Sequence, residues 1–254
     1  MDLGLRGRTV IVTGGSGGIG RHVAAVYGAE QADVVLTYWK AAADAEAAAE
    51  AVRAAGGRAL PVQYVLGDED SARALIAAAI DWTGRIDVLV NNAVVTHSKP
   101  AFANPVFDET PHEEWLAALR DNVEGAVALS RLVAPVFRQA GWGRLVHMSS
   151  SIVSEGMAGG EYYAAAKSAL HGLSRSLAFS LGAVGDILSV VVMFGLIPTV
   201  RNEPEVAAIG DWYAGRTAVR RLIGPEELAR TVAFLGSAAN TCITGEVVTA
   251  SGGA

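Results

Sequence analysis

Two side chains four positions apart are the first in this chain with chemistry to offer: the phenol of Tyr163 and the ammonium of Lys167, in Tyr163-Ala-Ala-Ala-Lys167. In a helix that spacing puts both on one face. A free tyrosine titrates near ~10, too high for acid–base work at neutral pH. A neighbouring cation favours the phenolate, so Lys167 is expected to lower that value. Taken alone the pair is commonplace. Thirteen residues upstream, however, Ser150 follows the apolar run Arg144–Met148. A hydroxyl there would stand at the carboxyl end of a strand, where open α/β sheets keep their crevices.

A second group lies near the start. Thr9-Val-Ile-Val-Thr13 runs into Gly14-Gly-Ser-Gly-Gly-Ile-Gly20 and on to Arg21-His-Val-Ala-Ala-Val-Tyr27, reading as strand, glycine turn and helix. The stretch fits GxGxxG from Gly15 and TGxxxGxG from Thr13. Glycines allow the tight turn and let backbone amides close on a pyrophosphate at a helix N-terminus, where the helix dipole favours negative charge. Gly14, Ser16, Gly18, Ile19 and Gly20 are the turn residues expected to meet a dinucleotide. A purely structural turn is the competing reading.

The nucleotide depends on the end of the second strand. NAD binders usually carry an acid about 20 residues beyond the glycines, on the ribose 2′-hydroxyl. Here Leu36-Thr-Tyr-Trp-Lys40 has no acid, and the next is Asp44. Lys40 is in position to approach a 2′-phosphate, with Thr37 or Tyr38 as hydrogen-bonding partner. NADP(H) is therefore expected over NAD(H), although an exposed lysine before a helix also arises by chance.

These groups need elements to hold them. Short β-branched runs are expected as strands at Thr9–Thr13, Asp33–Thr37, Ala59–Tyr64, Ile86–Val90, Arg144–Met148, Ile187–Met193 and Glu246–Ala250. Most are nearly continuously apolar, as parallel strands covered on both faces are. Helices are expected over Ala41–Ala55, Ser71–Thr83, His112–Gln139, Tyr162–Leu181 and Pro225–Gly236, with Gly56 and Gly84 as stops. The alternation predicts one α/β domain over residues 1–254, a doubly wound, Rossmann-like parallel sheet of about seven strands with helices on both faces. Leu196–Ala218 resists assignment and reads as a substrate lid or an irregular surface excursion.

Composition narrows the class. The chain has 254 residues, 51% hydrophobic and 18% charged, so it has ample material for a core. A net charge of −6 argues against nucleic acid as a partner. Cys242 is the only cysteine, which excludes an intrachain disulfide or a cysteine zinc cluster, and no metal ligand set is expected. Met1 to Arg8 lacks the apolar stretch of a signal peptide, and Ile187–Pro198, the longest apolar run, is too short for a bilayer. A cytoplasmic protein without membrane contact is expected.

In these motifs the chain resembles the short-chain dehydrogenase/reductase family along essentially its whole length, and within it the three-oxoacyl carrier-protein reductase type. Thr13–Gly20 is joined by Asn91-Asn-Ala93, Asp121-Asn-Val123, Ser149-Ser-Ser151, Tyr163 with Lys167, and Ile243-Thr-Gly245. The resemblance implies hydride transfer between nicotinamide and the carbon of a ketone or secondary alcohol, or a related C=N group. It makes Tyr163 the proton donor, Ser150 the hydroxyl that orients the carbonyl oxygen, and Lys167 the holder of the nicotinamide ribose. Asn122 would retain a water linking Lys167 to solvent. Asn92, Ala93 and Thr199 join the cofactor contacts, with Thr199 at the carboxamide. Ser151 is a close rival to Ser150, but the thirteen-residue spacing to Tyr163 favours Ser150, and Tyr162 reads as packing. The family's pairing of long helices implies a homotetramer or at least a dimer.

Departures from the family gather around the cofactor. Val94 stands for a glycine, Val65 for an aspartate at the adenine, Phe194-Gly195 for proline-glycine, and Val190 for an asparagine. Each is bulky and apolar, which suggests a narrowed cleft, a weakened affinity or a reshaped pocket. A non-catalytic nucleotide-binding protein and an NAD-dependent alcohol dehydrogenase are the alternatives. The residues after Ala93, His97 included, and the segment with Trp212 and Tyr213 are expected to line a pocket for a moderate-sized organic small molecule. For His97 itself, a solvated loop residue is the favoured reading over a substrate contact.

Overall fold

The computed structural model describes residues 2–95 and 107–254, so His97 lies outside the described residues. Seven parallel strands form one sheet in the order β3-β2-β1-β4-β5-β6-β7. They are β1 (Thr9–Val12), β2 (Asp33–Tyr38), β3 (Arg58–Gln63), β4 (Val88–Asn91), β5 (Trp142–Ser150), β6 (Asp186–Phe194) and β7 (Val247–Ala250). The helices are α1 (Gly18–Ala29), α2 (Ala42–Ala54), α3 (Glu69–Thr83), α4 (His112–Ala140), α5 (Ile152–Glu155), α6 (Glu161–Gly182), α7 (Glu203–Arg216) and α8 (Pro225–Leu235). A single 3-10 turn at Phe107–Glu109 precedes α4.

The doubly wound sheet follows from the strand composition. Along β1, Val10 and Val12 enter one apolar core with α1, α2 and α8, while Ile11 enters the other with α3, α4 and α6. Side chains alternate across a strand, so a run apolar at every position demands cover on both faces. Local stops act where the sequence signals them. Asp68 caps α3 by accepting the Ser71 amide at 2.7 Å, and Gly84 ends that helix at φ 77°. Among the described residues, no helix is long and apolar enough to cross a membrane.

Three differences from expectation concern the site. Leu196–Ala218 is not irregular throughout, since it holds α7. That helix buries only Gly210 and Tyr213, so no apolar stripe marked it, and Pro204 in its first turn was the one local signal. The short α5 directly after β5 was likewise not expected. Val190 is fully inside the core, paired with Val146, and does not narrow any cleft.

The order of the strands reverses beside β1, which pairs with β2 on one side and β4 on the other. This is the position where a crevice opens beyond the carboxyl ends of a parallel sheet. β5 continues past its last pairing with β4, Asn91 with His147, and so carries Ser150 out over the crevice.

Candidate active site

At that end of the sheet lies a cleft of about 980 Å³. It is lined by Gly14, Ser16, Gly18 and Ile19 of the glycine turn, Thr37 near the end of β2, Lys40 just after it, Asn92 and Ala93 after β4, and Ser150, Tyr163, Lys167 and Thr199. Gly20 and Asn122, two further residues of the expected site, stand behind this lining.

The glycine turn is held by its neighbours. Gly14 donates its amide to the Thr37 hydroxyl at 2.9 Å, and Thr13 receives the amides of Asn92 and Ala93 on its hydroxyl, each at 2.9 Å. Asn92 donates its side-chain amide to the Thr13 carbonyl at 2.8 Å. The Asn92 side chain thus braces β1 against β4, and the hydroxyl of Thr37 already accepts one bond within the turn. A Cβ on Gly20 would come within 2.9 Å of the Gly14 carbonyl carbon, so only glycine lets α1 start this close to β1. The first turn of α1 holds no acidic residue and has no side-chain cap, leaving its amides to a ligand.

From the last residue of β2 onward, Tyr38, Trp39, Lys40 and Ala41 line the cleft without a carboxylate among them. The Lys40 ammonium lies 3.8 Å from the centre of the Trp39 ring. Val65 and Val94 line the cleft and are exposed to it, and Phe194 also faces it, so three of the four apolar departures border the same space.

On the other side, α6 presents Tyr163 and Lys167 on one face. Lys167 is buried, donates to the Met148 carbonyl at 2.9 Å, and lies 5.7 Å from the centre of the Tyr163 ring. Burial holds the Lys167 ammonium down to about 8. Tyr163 departs from expectation: burial, with the Glu205 carboxylate adding to it, pushes its phenol up to about 12. The Lys167 ammonium gives one of its donors to the Met148 carbonyl, and at the phenol the loss of hydration is the dominant effect.

Ser150 and Ser151 are separated by their partners. Ser151 is buried and its hydroxyl meets that of Tyr213 at 3.1 Å, while the Ser150 hydroxyl only accepts the Ile152 amide at 3.4 Å. Ser149 turns away to His171 at 2.8 Å. Asn122 donates to the carbonyls of Val95 and Ala118 and accepts the Val95 amide at 3.1 Å. Its side chain therefore fastens the segment after β4 and is not free to hold the water expected at Asn122. Thr199 donates its amide and its hydroxyl to Asn202 Oδ1, each at 2.8 Å.

The cleft also contains residues that motif reading missed. Glu205 and Arg201 come from the segment around α7, and Glu155 from α5, where it accepts a bond from Tyr213 at 3.3 Å. Tyr213 packs so closely on Gly195 that a Cβ there would lie 2.8 Å from its Cζ. No periodicity pointed to Glu205 or Arg201, because both depend on how α7 folds back over the sheet.

Comparisons with known proteins bear on the family and the fold. The sequence profile described as enoyl-(acyl carrier protein) reductase matches residues 14–254. An L-rhamnose 1-dehydrogenase (NAD(P)(+)) of Sphingomonas is 33% identical over 98% of this chain and 96% of its own. A 3-oxoacyl-(acyl-carrier-protein) reductase of Pseudomonas aeruginosa is 30% identical over 99% of this chain and 98% of its own. A short chain dehydrogenase of Burkholderia cenocepacia, solved in complex with NADP, superposes with a TM-score of 0.87 at 31% identity, covering 98% of both chains.

Proposed function

Since the chain belongs to the short-chain dehydrogenase/reductase family, we propose that it is an NADP(H)-dependent reductase of a ketone, or a related C=N group, on a moderate-sized organic substrate. The observation that carries this reading is the convergence of Ser150, Tyr163 and Lys167 on the same 980 Å³ cleft as the glycine turn. The residues present fit a dinucleotide: a turn closed to any Cβ at Gly20, uncapped α1 amides, and a volume suited to a large ligand. The nicotinamide, when bound, supplies the hydride.

The chain's own groups do the rest. Tyr163 stays protonated at neutral pH and donates its proton to the substrate oxygen as charge develops there. Ser150 hydrogen-bonds the same oxygen. Lys167 would hydrogen-bond the nicotinamide ribose, and its bond to the Met148 carbonyl anchors the ammonium 5.7 Å from the centre of the Tyr163 ring. Any water held by Asn122 rests on its main chain. Trp212, Tyr213 and Glu205 on α7 border the substrate. NADP(H) is favoured by the carboxylate-free border Thr37–Ala41, where Lys40 offers the cation for a 2′-phosphate. The whole chain is proposed to act as one such unit, assembled as a homotetramer or dimer through α4 and α6, in the cytoplasm with its cofactor pool.

The test combines binding and turnover. Titration with NADPH and NADH is expected to give tighter binding of NADPH, and a ketone panel with NADPH to give turnover. Tyr163→Phe should lose ~10²–10⁴-fold in rate while binding NADPH nearly normally, whereas Lys167→Ala should lose both. Equal or tighter binding of NADH overturns the NADP assignment, and near-normal turnover by Tyr163→Phe overturns the mechanism.

A further inference from the structure

Of the five glycines in the turn only Gly14 and Gly18 have a positive φ, and Gly17 is one of those whose backbone does not ask for glycine. Gly17 has φ −162° and ψ −179°, extended backbone that any residue adopts. In the TGxxxGxG pattern from Thr13 it occupies an unspecified position, while in GxGxxG from Gly15 it is the second glycine, where the chain must leave room for a close neighbour. What fills the space above it is a side chain from far along the chain. A Cβ on Gly17 would lie 2.6 Å from Cζ and 2.8 Å from Nε of Arg201, and one on Gly18 would lie 3.8 Å from its Cδ. The missing Cβ at position 17 is therefore the seat of the Arg201 guanidinium.

That seat is held from both sides. Arg201 sits in a turn tied by Asn202, which accepts the amide and hydroxyl of Thr199 at 2.8 Å each and donates to the Ile197 carbonyl at 3.0 Å. The main chain closes the same turn, with the Asn202 amide on the Thr199 carbonyl at 3.2 Å. Both Arg201 and the glycine turn line the 980 Å³ cleft.

The electrostatics of this arrangement are incomplete. Among the described residues, Arg201 forms no ion pair and no hydrogen bond. It instead lies against the start of α1, which has no acidic residue in its first turn and carries the positive end of a helix dipole. Two positive groups face one cleft, and among the described residues neither is paired with a carboxylate. A phosphate satisfies both, because amides and a planar guanidinium donate to different oxygens of the same group.

We infer that Arg201 is a cofactor-binding residue that shares the pyrophosphate of the dinucleotide with the amides of the glycine turn. This rests on the dinucleotide reading above and adds to it a clamp from the segment that leads into α7. The 2′-phosphate offers the same chemistry, but only NADP(H) carries it, whereas both dinucleotides carry the pyrophosphate.

The experiment is calorimetric titration of NADPH and NADH into the wild-type protein, Arg201→Ala, Arg201→Lys and Gly17→Ala. Arg201→Ala should bind both dinucleotides more weakly by a similar factor, roughly 10–100-fold, with an unchanged thermal midpoint because the side chain has no protein partner. Arg201→Lys should recover part of the loss. Gly17→Ala fills the seat with a methyl group, so it should weaken binding in the wild-type background and add little in Arg201→Ala. Loss confined to NADPH would move the guanidinium to the 2′-phosphate and overturn the pyrophosphate assignment. Unchanged affinity for both in Arg201→Ala overturns the clamp alone. A wild-type protein that binds neither dinucleotide overturns the cofactor reading and the clamp together.

Discussion

At the scale of the residue, Tyr163 is poised as an acid more than as a base. Its phenol is pushed up to about 12 by burial and by the Glu205 carboxylate, while burial brings Lys167 down to about 8. Reduction needs a protonated donor, and a raised pKa keeps that form fully populated at neutral pH. Alcohol oxidation needs the phenolate, so its rate should climb as pH rises toward the Tyr163 pKa. Glu205 is half-buried and its own carboxyl is raised by burial. Removing its charge takes away a group that disfavours the phenolate, so Glu205→Gln should shift the climbing limb of the oxidation profile to lower pH. Rate–pH profiles of the two proteins with one secondary alcohol would show it. Superimposable profiles mean that Glu205 does not act on Tyr163.

At the scale of the element, the two glycine positions most worth comparing are Gly20 in α1 and Gly172 in α6. A Cβ at Gly20 would press on the Gly14 carbonyl group and on Asn92 Nδ2 at 2.6 Å. The obstacle includes backbone, which has little room to yield. Gly20→Ala is expected to cost roughly 1–3 kcal/mol of stability and to abolish dinucleotide binding, because the turn must open to admit the methyl group. At Gly172 nothing lies within 4 Å of a Cβ and the residue is in mid-helix. Gly172→Ala should therefore stabilise by about 0.5–1 kcal/mol through helix propensity. Urea denaturation and cofactor titration of both variants check this pair, and a Gly20→Ala protein with normal binding would refute the close-packing argument. The contrast separates a glycine required by approach from one that is merely tolerated.

At the scale of the whole molecule, α4 and α6 pack side by side against one face of the sheet, and their outer surfaces stay partly apolar. Phe179 on α6 is 72% exposed, and Val127 on α4 and Val184 just past α6 are exposed as well. Large apolar groups on adjacent helices favour burial against a second copy. Sedimentation at micromolar concentration should give a dimer or tetramer, and Phe179→Glu should shift it toward monomer without loss of helical signal. A wild-type monomer under those conditions would sink the assembly proposed here.

What the residues alone determined was whatever depends on local pattern. The seven strands, the long helices and the glycine turn were legible because each is written in a contiguous run of apolar, helix-forming or glycine residues. The residues expected at the site could be picked out for the same reason, since they stand in the glycine turn, near or beyond strand ends, or on α4 and α6, and all but Gly20 and Asn122 line one cleft. The tertiary structure alone decided what stands opposite them. Ser151 is taken by Tyr213, the Asn122 side chain by Val95, Tyr163 is raised in place of lowered, and Arg201 rests on Gly17 across 184 positions of sequence. Hydrogen-bond partnership and loss of hydration belong to pairs and surroundings that the folded chain creates. α7 shows the divide most clearly: it lies over the cleft and not in the core, so burial never imposed a stripe on its sequence.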